Sequence, residues 1–284
     1  MKIVKKINDL KKEIRRVKLN GKTIGFVPTM GALHAGHVKL IRCARKEKHI
    51  VIVSIFVNPA QFGPAEDFKK YPRTLLSDAS ICRKEGVDIV FLPSAPEMYP
   101  SGFSTYVSVE SLSNVLCGAT RPGHFRGVAT VVAKLLNIVE PDTLYLGQKD
   151  AQQAVIIKRM AHDLNFSARI KVIPTLRQRN GLALSSRNAY LSADEKNDAA
   201  ALYKSLDLAR GLVKSGFNDA GSIVNRMKNL LGKHRSIKID YISIVDADNL
   251  NPLKKVRRGC LIALAARVGK TRLIDNIVIP KSSL

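Results

Sequence analysis

Hydrophobic residues change period several times along the chain, and each change marks an element. After Asn8, a candidate cap, Leu10, Ile14 and Val17 recur at spacings of four and three and predict a helix that stops before Asn20-Gly21. Thr23 to Val27 predicts a strand; a glycine-containing turn follows, and Val38, Leu40, Ile41 and Ala44 mark the next helix. Ile50 to Val57 is too uniformly apolar for a half-exposed strand and reads as a central parallel strand covered on both faces. Leu75, Leu76, Ala79 and Cys82 predict the buried side of a helix, with Pro72 in its first turn and Gly86 at its end. Asp88 to Leu92, Thr143 to Leu146 and Ala168 to Pro174 are further strand candidates, and a long helical pattern runs through Val128, Val131, Val132, Leu135 and Leu136. Thr105 to Val109 alternates polar and apolar residues, which predicts an edge or antiparallel element.

Past residue 175 the pattern differs. Leu176 to Asn188 has neither helical nor strand period, and Ser192 with Glu195 forms a capping box for a helix carrying Leu202, Leu206, Ala209 and Val213. A second helix from about Asp219 to Leu231 precedes three β-capable runs at 237–245, 260–265 and 272–279. Strands alternating with helices in the first part, and helices followed by strands in the second, predict an α/β protein. Its expected architecture is a doubly wound, Rossmann-like parallel sheet over residues 1–175, with a smaller C-terminal α+β domain over 176–284.

Composition adds bounds. With 45% hydrophobic and 25% charged residues, the 284-residue chain is an ordinary globular sequence, long enough for one large core or two modest ones. A formal charge of +24 is the one bulk feature that points to nucleic acid or an anionic surface. Lys and Arg are scattered, Trp is absent, and no basic run is interleaved with aromatic residues, so the charge reads as a solvated face attractive to anionic substrates rather than a specific nucleic-acid site. Cys43, Cys82, Cys117 and Cys260 lie far apart with no CxxC pair, which suits a reducing, cytoplasmic setting. No stretch approaches 18 apolar residues and no apolar leader region is present, so neither membrane spanning nor secretion is expected.

Six segments carry candidate chemistry. Pro28 to His37 joins a strand to a helix, with His34 and His37 beside backbone N–H groups that lack intrahelical partners, a plausible seat for phosphate. Either histidine alone would also serve as a polar cap. Gln61 lies in the Asn58 to Pro64 loop at the carboxyl end of the central strand, where open α/β sheets place ligands, though a loop glutamine also bonds its own backbone. Glu66 to Arg73, bracketed by Pro64 and Pro72, reads as a flap, and Arg121 and Arg126 in the glycine-rich 118–127 segment suit a carboxylate or phosphate, or are surface charge. Lys149 and Asp150 open a helix with Gln153 one turn on, so Lys149 can neutralise phosphate while Asp150 helps hold a divalent ion. Ser185, Ser186 and Arg187 either close on a triphosphate or form an ordinary serine-rich loop.

Pro28 to His37 resembles the HxGH signature of nucleotidyl-transferring α/β enzymes, a group related to class I aminoacyl-tRNA synthetases. Taken with Phe56 to Pro59, Gln61-Phe62, Tyr71 to Thr74, Arg121 to Gly127, Gly147 to Gln153 and Leu184 to Asn188, nearly the whole chain resembles the pantothenate synthetase (pantoate–β-alanine ligase) family. The resemblance implies ATP-dependent condensation of pantoate with β-alanine to pantothenate, AMP and pyrophosphate through pantoyl adenylate, with Mg²⁺, in a cytoplasmic homodimer. It implies that Met30, Gly31, Ala32, Leu33, His34, Ala35, Gly36 and His37 hold ATP, with both histidines near its phosphates and His37 as the acid. Gln61 and Gln153 would hold pantoate. Gly147, Gln148, Lys149 and Asp150 would contact the nucleotide, Lys149 on phosphate and Asp150 toward Mg²⁺. Leu176 and Leu184, Ser185, Ser186 and Arg187 would complete the ATP site as the 176–190 loop closes, giving His34, His37, Lys149, Ser185, Ser186 and Arg187 as the catalytic set. One departure is Asn180-Gly181, where family members commonly carry an acidic residue before Gly; Asn keeps the turn chemistry and loses the charge. Two other readings differ in class. A nucleotidyltransferase of the same superfamily would share the HxGH turn but transfer a nucleotide permanently, and an RNA-binding protein would explain the charge. The two glutamines, suited to a small hydroxy acid, favour the ligase.

Overall fold

A computed structural model describes residues 1–47, 49–64 and 66–281. The chain forms two compact units, one of residues 1–114, 118–147 and 156–174, the other of residues 115–117, 148–155 and 175–284. Segments 115–117 and 148–155 thus group with the C-terminal unit, so the division is interleaved rather than a single cut at 175.

In chain order the first unit begins β1 (Lys2–Val4), α1 (Ile7–Leu19), β2 (Ile24–Thr29), α2 (Ala35–Lys46), β3 (Ile50–Ile55), α3 (Leu75–Lys84), β4 (Ile89–Phe91) and the short α4 (Ala95–Met98). It continues through α5 (Cys117–Thr120), α6 (His124–Val139), β5 (Thr143–Gly147), α7 (Ala151–Asp163) and β6 (Arg169–Ile173), with Cys117 and the first turn of α7 counted in the other unit. All six strands are parallel, in the order β1-β4-β3-β2-β5-β6. Val51 to Ile55 of β3 are buried without alternation, as a strand covered on both faces requires. Strand order reverses at β2, with β3 on one side and β5 on the other, which puts the crevice of a doubly wound sheet outside the carboxyl ends of β2 and β5.

Four local expectations are corrected. Asn8 lies inside α1, which starts at Ile7 with no side-chain cap; the Ile7 N–H donates to Glu97 Oε1 at 2.8 Å instead, a partner ninety positions away. β1 was not anticipated, because three residues with only Val4 buried leave no period to read. α3 starts at Leu75, after Pro72; Ala79 and Cys82 are buried as expected, but Leu76 is 89% exposed and Asp78, 1% exposed, joins the inward face. Thr105 to Val109 is no strand: Val107 N–H donates to Thr130 Oγ1 at 2.9 Å, and the Arg126 guanidinium lies 3.9 Å from the Tyr106 ring centre.

The second unit is the expected α+β arrangement. α8 (Ala193–Lys214) carries the Ser192/Glu195 capping box, and α9 (Ala220–Leu231) is capped by Asp219. β7 (Ile237–Asp246), β8 (Cys260–Val268) and β9 (Thr271–Ile279) form an antiparallel sheet in that order. Leu202, Leu206, Ala209 and Val213 of α8 are buried in one cluster with Ile223, Met227 and Leu231 of α9 and Ile262, Leu264 and Ile277 of the sheet. Among the described residues no helix is long and apolar enough to cross a membrane.

Candidate active site

In the first unit, β2 delivers its carboxyl end into a turn of left-handed backbone, with φ of 85° at Gly31 and 49° at Ala32. Thr29 Oγ1 donates to Ser54 O at 2.7 Å and accepts from the Gly31 N–H at 3.1 Å. Asp78 then accepts from the Ala32 and Leu33 N–H groups, at 3.0 and 2.8 Å, so its buried carboxylate satisfies two amides of the turn. A side chain at Gly31 would stand 3.1 Å from Asp78 Oδ2, which with the positive φ makes glycine the residue that fits.

His34 and His37 close the turn as a capping box. His34 Nδ1 accepts from Gly36 N–H at 3.1 Å and His37 Nδ1 accepts from His34 N–H at 3.3 Å. An imidazole that accepts at Nδ1 carries its neutral-state proton on Nε2, so both rings are set as Nε2–H donors at the N-terminus of a twelve-residue helix. Their ring centres are 4.2 Å apart. A Cβ on Gly36 would meet the His34 ring at 2.8 Å, so the second glycine of the signature is what lets the cap form.

Gln61 sits on a 3₁₀ turn after β3, half-buried, with Nε2 3.3 Å from Met30 Sδ and Oε1 accepting from Asn58 Nδ2 at 3.1 Å. Asn58, 1% exposed, is fully satisfied: Nδ2 also donates to Gly127 O, and Oδ1 accepts from Ala60 N–H and from the Tyr99 hydroxyl at 2.7 Å. Burial pushes the Tyr99 phenol up from its ordinary pKa and keeps it a donor. Gly127 allows the contact, since a Cβ there would lie 2.1 Å from Ala60 O. Arg121 pairs with Glu66 through two bonds of 2.7 and 2.6 Å and lies 2.9 Å from His124 Nε2, while His124 Nδ1 donates to Gln61 O at 2.8 Å. Burial raises the Glu66 carboxyl, but the Arg121 pairing outweighs it and holds the group below the ordinary carboxylate range. Arg121 is thus a brace for the Gln61 turn and Arg126 is stacked on Tyr106.

In the second unit, Gln148–Asp150 forms a 3₁₀ turn, so Lys149 and Asp150 lie in that turn and the α-helix α7 begins just after them, at Ala151. Lys149 Nζ lies 3.5 Å from Asp150 Oδ1, with the Lys side chain largely covered and the Asp side chain half exposed. Gln153 is half-buried, whereas its neighbour Gln152 is buried and spends its amide on Cys117 N–H (3.0 Å) and Val115 O (2.7 Å). Leu176 and Leu184 are joined by a Leu184 N–H to Leu176 O bond of 3.0 Å, and Ser185 caps the next 3₁₀ turn by accepting from Arg187 N–H at 3.3 Å. Asn180 Oδ1 accepts from Leu182 N–H at 3.1 Å, so the amide preserves the turn bond that a carboxylate would make. Gly181 has φ 91°, and a Cβ there would stand 2.3 Å from the Tyr203 ring.

Met30, His34, His37 and Gln61 therefore share the first unit, and Gln148 to Asp150, Gln153, Leu176 and Leu184 to Arg187 share the second. Asn58, Asp78 and Tyr99 escaped the site reading from sequence, since each acts on a residue distant in the chain, whereas Arg121, a candidate for a carboxylate or phosphate, is paired with the Glu66 carboxylate. A signal existed for Asp78: a carboxylate in helical register with Cys82.

A family model described as pantoate-beta-alanine ligase matches residues 2–278. The pantothenate synthetase of Caldicellulosiruptor saccharolyticus is 52% identical over 279 residues, covering 98% of this chain and 99% of that one. The crystal structure of pantothenate synthetase from Thermus thermophilus superposes with a TM-score of 0.94 at 41% identity, covering 99% of this chain and 100% of that chain. A Francisella tularensis pantoate-beta-alanine ligase, complexed with beta-gamma ATP and beta-alanine, gives 0.80 at 38% identity, covering 100% and 99%.

Proposed function

The chain belongs to the pantoate-beta-alanine ligase family, whose members condense pantoate with β-alanine at the expense of ATP, and we propose that the residues described above divide that reaction between them. Residues 1–175 bind ATP and pantoate, and the 176–190 loop closes on ATP. The pantoate carboxylate attacks the α-phosphorus, forming pantoyl adenylate and releasing pyrophosphate, and the β-alanine amine then displaces AMP. Negative charge grows on phosphate oxygens in the first step, where donors aimed at the transition state count most. The Nε2–H groups of His34 and His37, with His37 as the acid, the Lys149 ammonium and the Ser185-Ser186-Arg187 segment fill that role. Gly31 to Leu33, Ala35 and Gly36 line the nucleotide with backbone, joined by Met30, Gly147, Gln148, Leu176 and Leu184. Gln61 and Gln153 orient pantoate. The observation that carries this reading is the pair of imidazoles, both bound through Nδ1 to backbone N–H groups at a helix N-terminus.

When bound, Mg²⁺ neutralises charge on the triphosphate. Among the described residues no three His, Cys, Asp or Glu side chains converge to cage a metal. A hydrated Mg²⁺ held by one carboxylate and substrate phosphates fits that donor set, and the half-exposed Asp150 is the carboxylate we assign. The second step needs a deprotonated amine, so activity falls on the acidic side of neutrality. We also propose a cytoplasmic homodimer with no specific nucleic-acid or membrane partner, which light scattering and a salt-dependent RNA titration check.

Isotope exchange tests the scheme. Pantoate alone should support exchange of labelled pyrophosphate into ATP, and exchange that requires β-alanine would overturn the stepwise order.

A further inference from the structure

β9 is the edge of the antiparallel sheet, and its buried positions are apolar or β-branched except at the adjacent pair Asp275 and Asn276, each 4% exposed. A strand gains nothing from two buried polar side chains, and each bond left unmade there is a cost to folding. The Asn276 side chain makes its bonds to one turn. Its Nδ2 donates to Gln148 O at 3.0 Å and to Lys149 O at 2.9 Å, and its Oδ1 accepts from Gln148 Nε2 at 3.0 Å. Asp275 accepts two bonds from Arg177, at 2.6 and 2.9 Å, and one from the Asn276 N–H at 2.7 Å. Arg177 also donates to Gly181 O at 3.1 Å and to Asn276 O at 3.3 Å, and stacks 3.9 Å from the Tyr203 ring centre. Two neighbouring residues of one strand therefore hold two loops of the second unit, the Gln148–Asp150 turn and the 176–184 segment.

We infer that Asp275 and Asn276 are positioning residues of the nucleotide half-site. Asn276 fixes the backbone from which Lys149 reaches phosphate, and Asp275, through Arg177, anchors the segment that leads into Leu184 to Arg187. The inference rests on the reading of Lys149 above. Neither residue touches substrate; their part is to hold register, where a displacement of about 1 Å costs up to about a hundredfold in rate. Burial pushes the Asp275 carboxyl up from its ordinary value, while Arg177 and the Lys149 charge pull it down.

The test compares Asn276→Ala, Lys149→Ala and the double variant in single-turnover formation of pantoyl adenylate, below the melting temperature of each. Asn276→Ala should slow the step by about tenfold to a hundredfold with the pantoate requirement unchanged. The Lys149→Ala loss should shrink in the Asn276→Ala background, because a misplaced ammonium has less to lose. A parental rate for Asn276→Ala beside a slow Lys149→Ala enzyme, or losses that multiply, overturns the inference. A parental rate for Lys149→Ala overturns the site reading instead, and with it the premise. Where Asn276→Ala fails to fold, Asn276→Ser, which keeps one donor, is put through the same comparison and decided by the same outcomes.

Discussion

At the turn between β2 and α2, each histidine Nδ1 finds its backbone partner within three residues, whereas the turn between β5 and α7 is held by Asn276, 127 and 128 positions away along the chain. Both turns are assigned to phosphate, yet one is capped by its own sequence and the other by a strand formed last in the chain. A helix N-terminus has N–H groups that nearby side chains can reach, so four residues suffice to shape it. A 3₁₀ turn with its carbonyls facing inward has no such neighbours, and only tertiary packing can bring donors to it. The histidine turn is not wholly self-sufficient either, since Asp78 holds its Ala32 and Leu33 amides from 46 and 45 positions away.

The sharpest way to break the comparison is to remove the groups proposed to face phosphate. His37→Ala and Lys149→Ala should each cost about 2.7 to 4 kcal/mol of transition-state stabilisation, roughly a hundredfold to a thousandfold in adenylate formation, with pantoate affinity nearly intact. Gln61→Ala should instead raise the pantoate concentration required. Single-turnover rates against pantoate concentration separate the two patterns, and His37→Ala forming adenylate at the parental rate would remove that histidine from the mechanism.

Next in size is Asp78→Ala, which strands two amides and leaves a gap beneath the turn. A loss of about 1–3 kcal/mol for each unsatisfied group is expected, read by urea unfolding, together with slower adenylate formation. Normal stability in that variant would show that the turn needs no distant carboxylate.

A smaller effect is expected at Glu66, whose carboxyl is held low in the folded state by Arg121. A depressed folded pKa means the stabilisation is present above the ordinary carboxylate range and is lost as pH falls through the folded value. The melting temperature of the parent should therefore exceed that of Glu66→Gln near neutrality and converge with it in acid. A gap that persists at low pH would assign the stability to packing rather than charge.

Smallest of all is Leu76→Ala. At 89% exposure the side chain buries almost nothing, so the change should stay within about 0.5 kcal/mol of the parent in the same unfolding experiment. A loss of core size would restore the inward face that the hydrophobic spacing had suggested.

Much of the fold was legible because its signals are local. Uniform apolarity at Ile50 to Val57 reads as a two-sided strand, and period four in α8 reads as one buried face. The Ser192/Glu195 box and the His34 to His37 turn are spelled out within four residues each, and the family-wide resemblance extended that reading to Gln61, Lys149 and the 184–187 segment. Short or exposed pieces were not legible: β1 has too few residues for a period, and α3 carries leucines outward because Asp78 is claimed by the turn it supports.

From sequence alone came most of the elements, the α/β class, the candidate chemistry-bearing residues and the family. Tertiary structure decided which polar side chains became scaffolding. Asn58, Asp78, Asp275 and Asn276 look no different in sequence from solvent-facing residues. Their roles exist only because folding buries them beside unpaired backbone groups, where each bond not made with protein would be made with nothing.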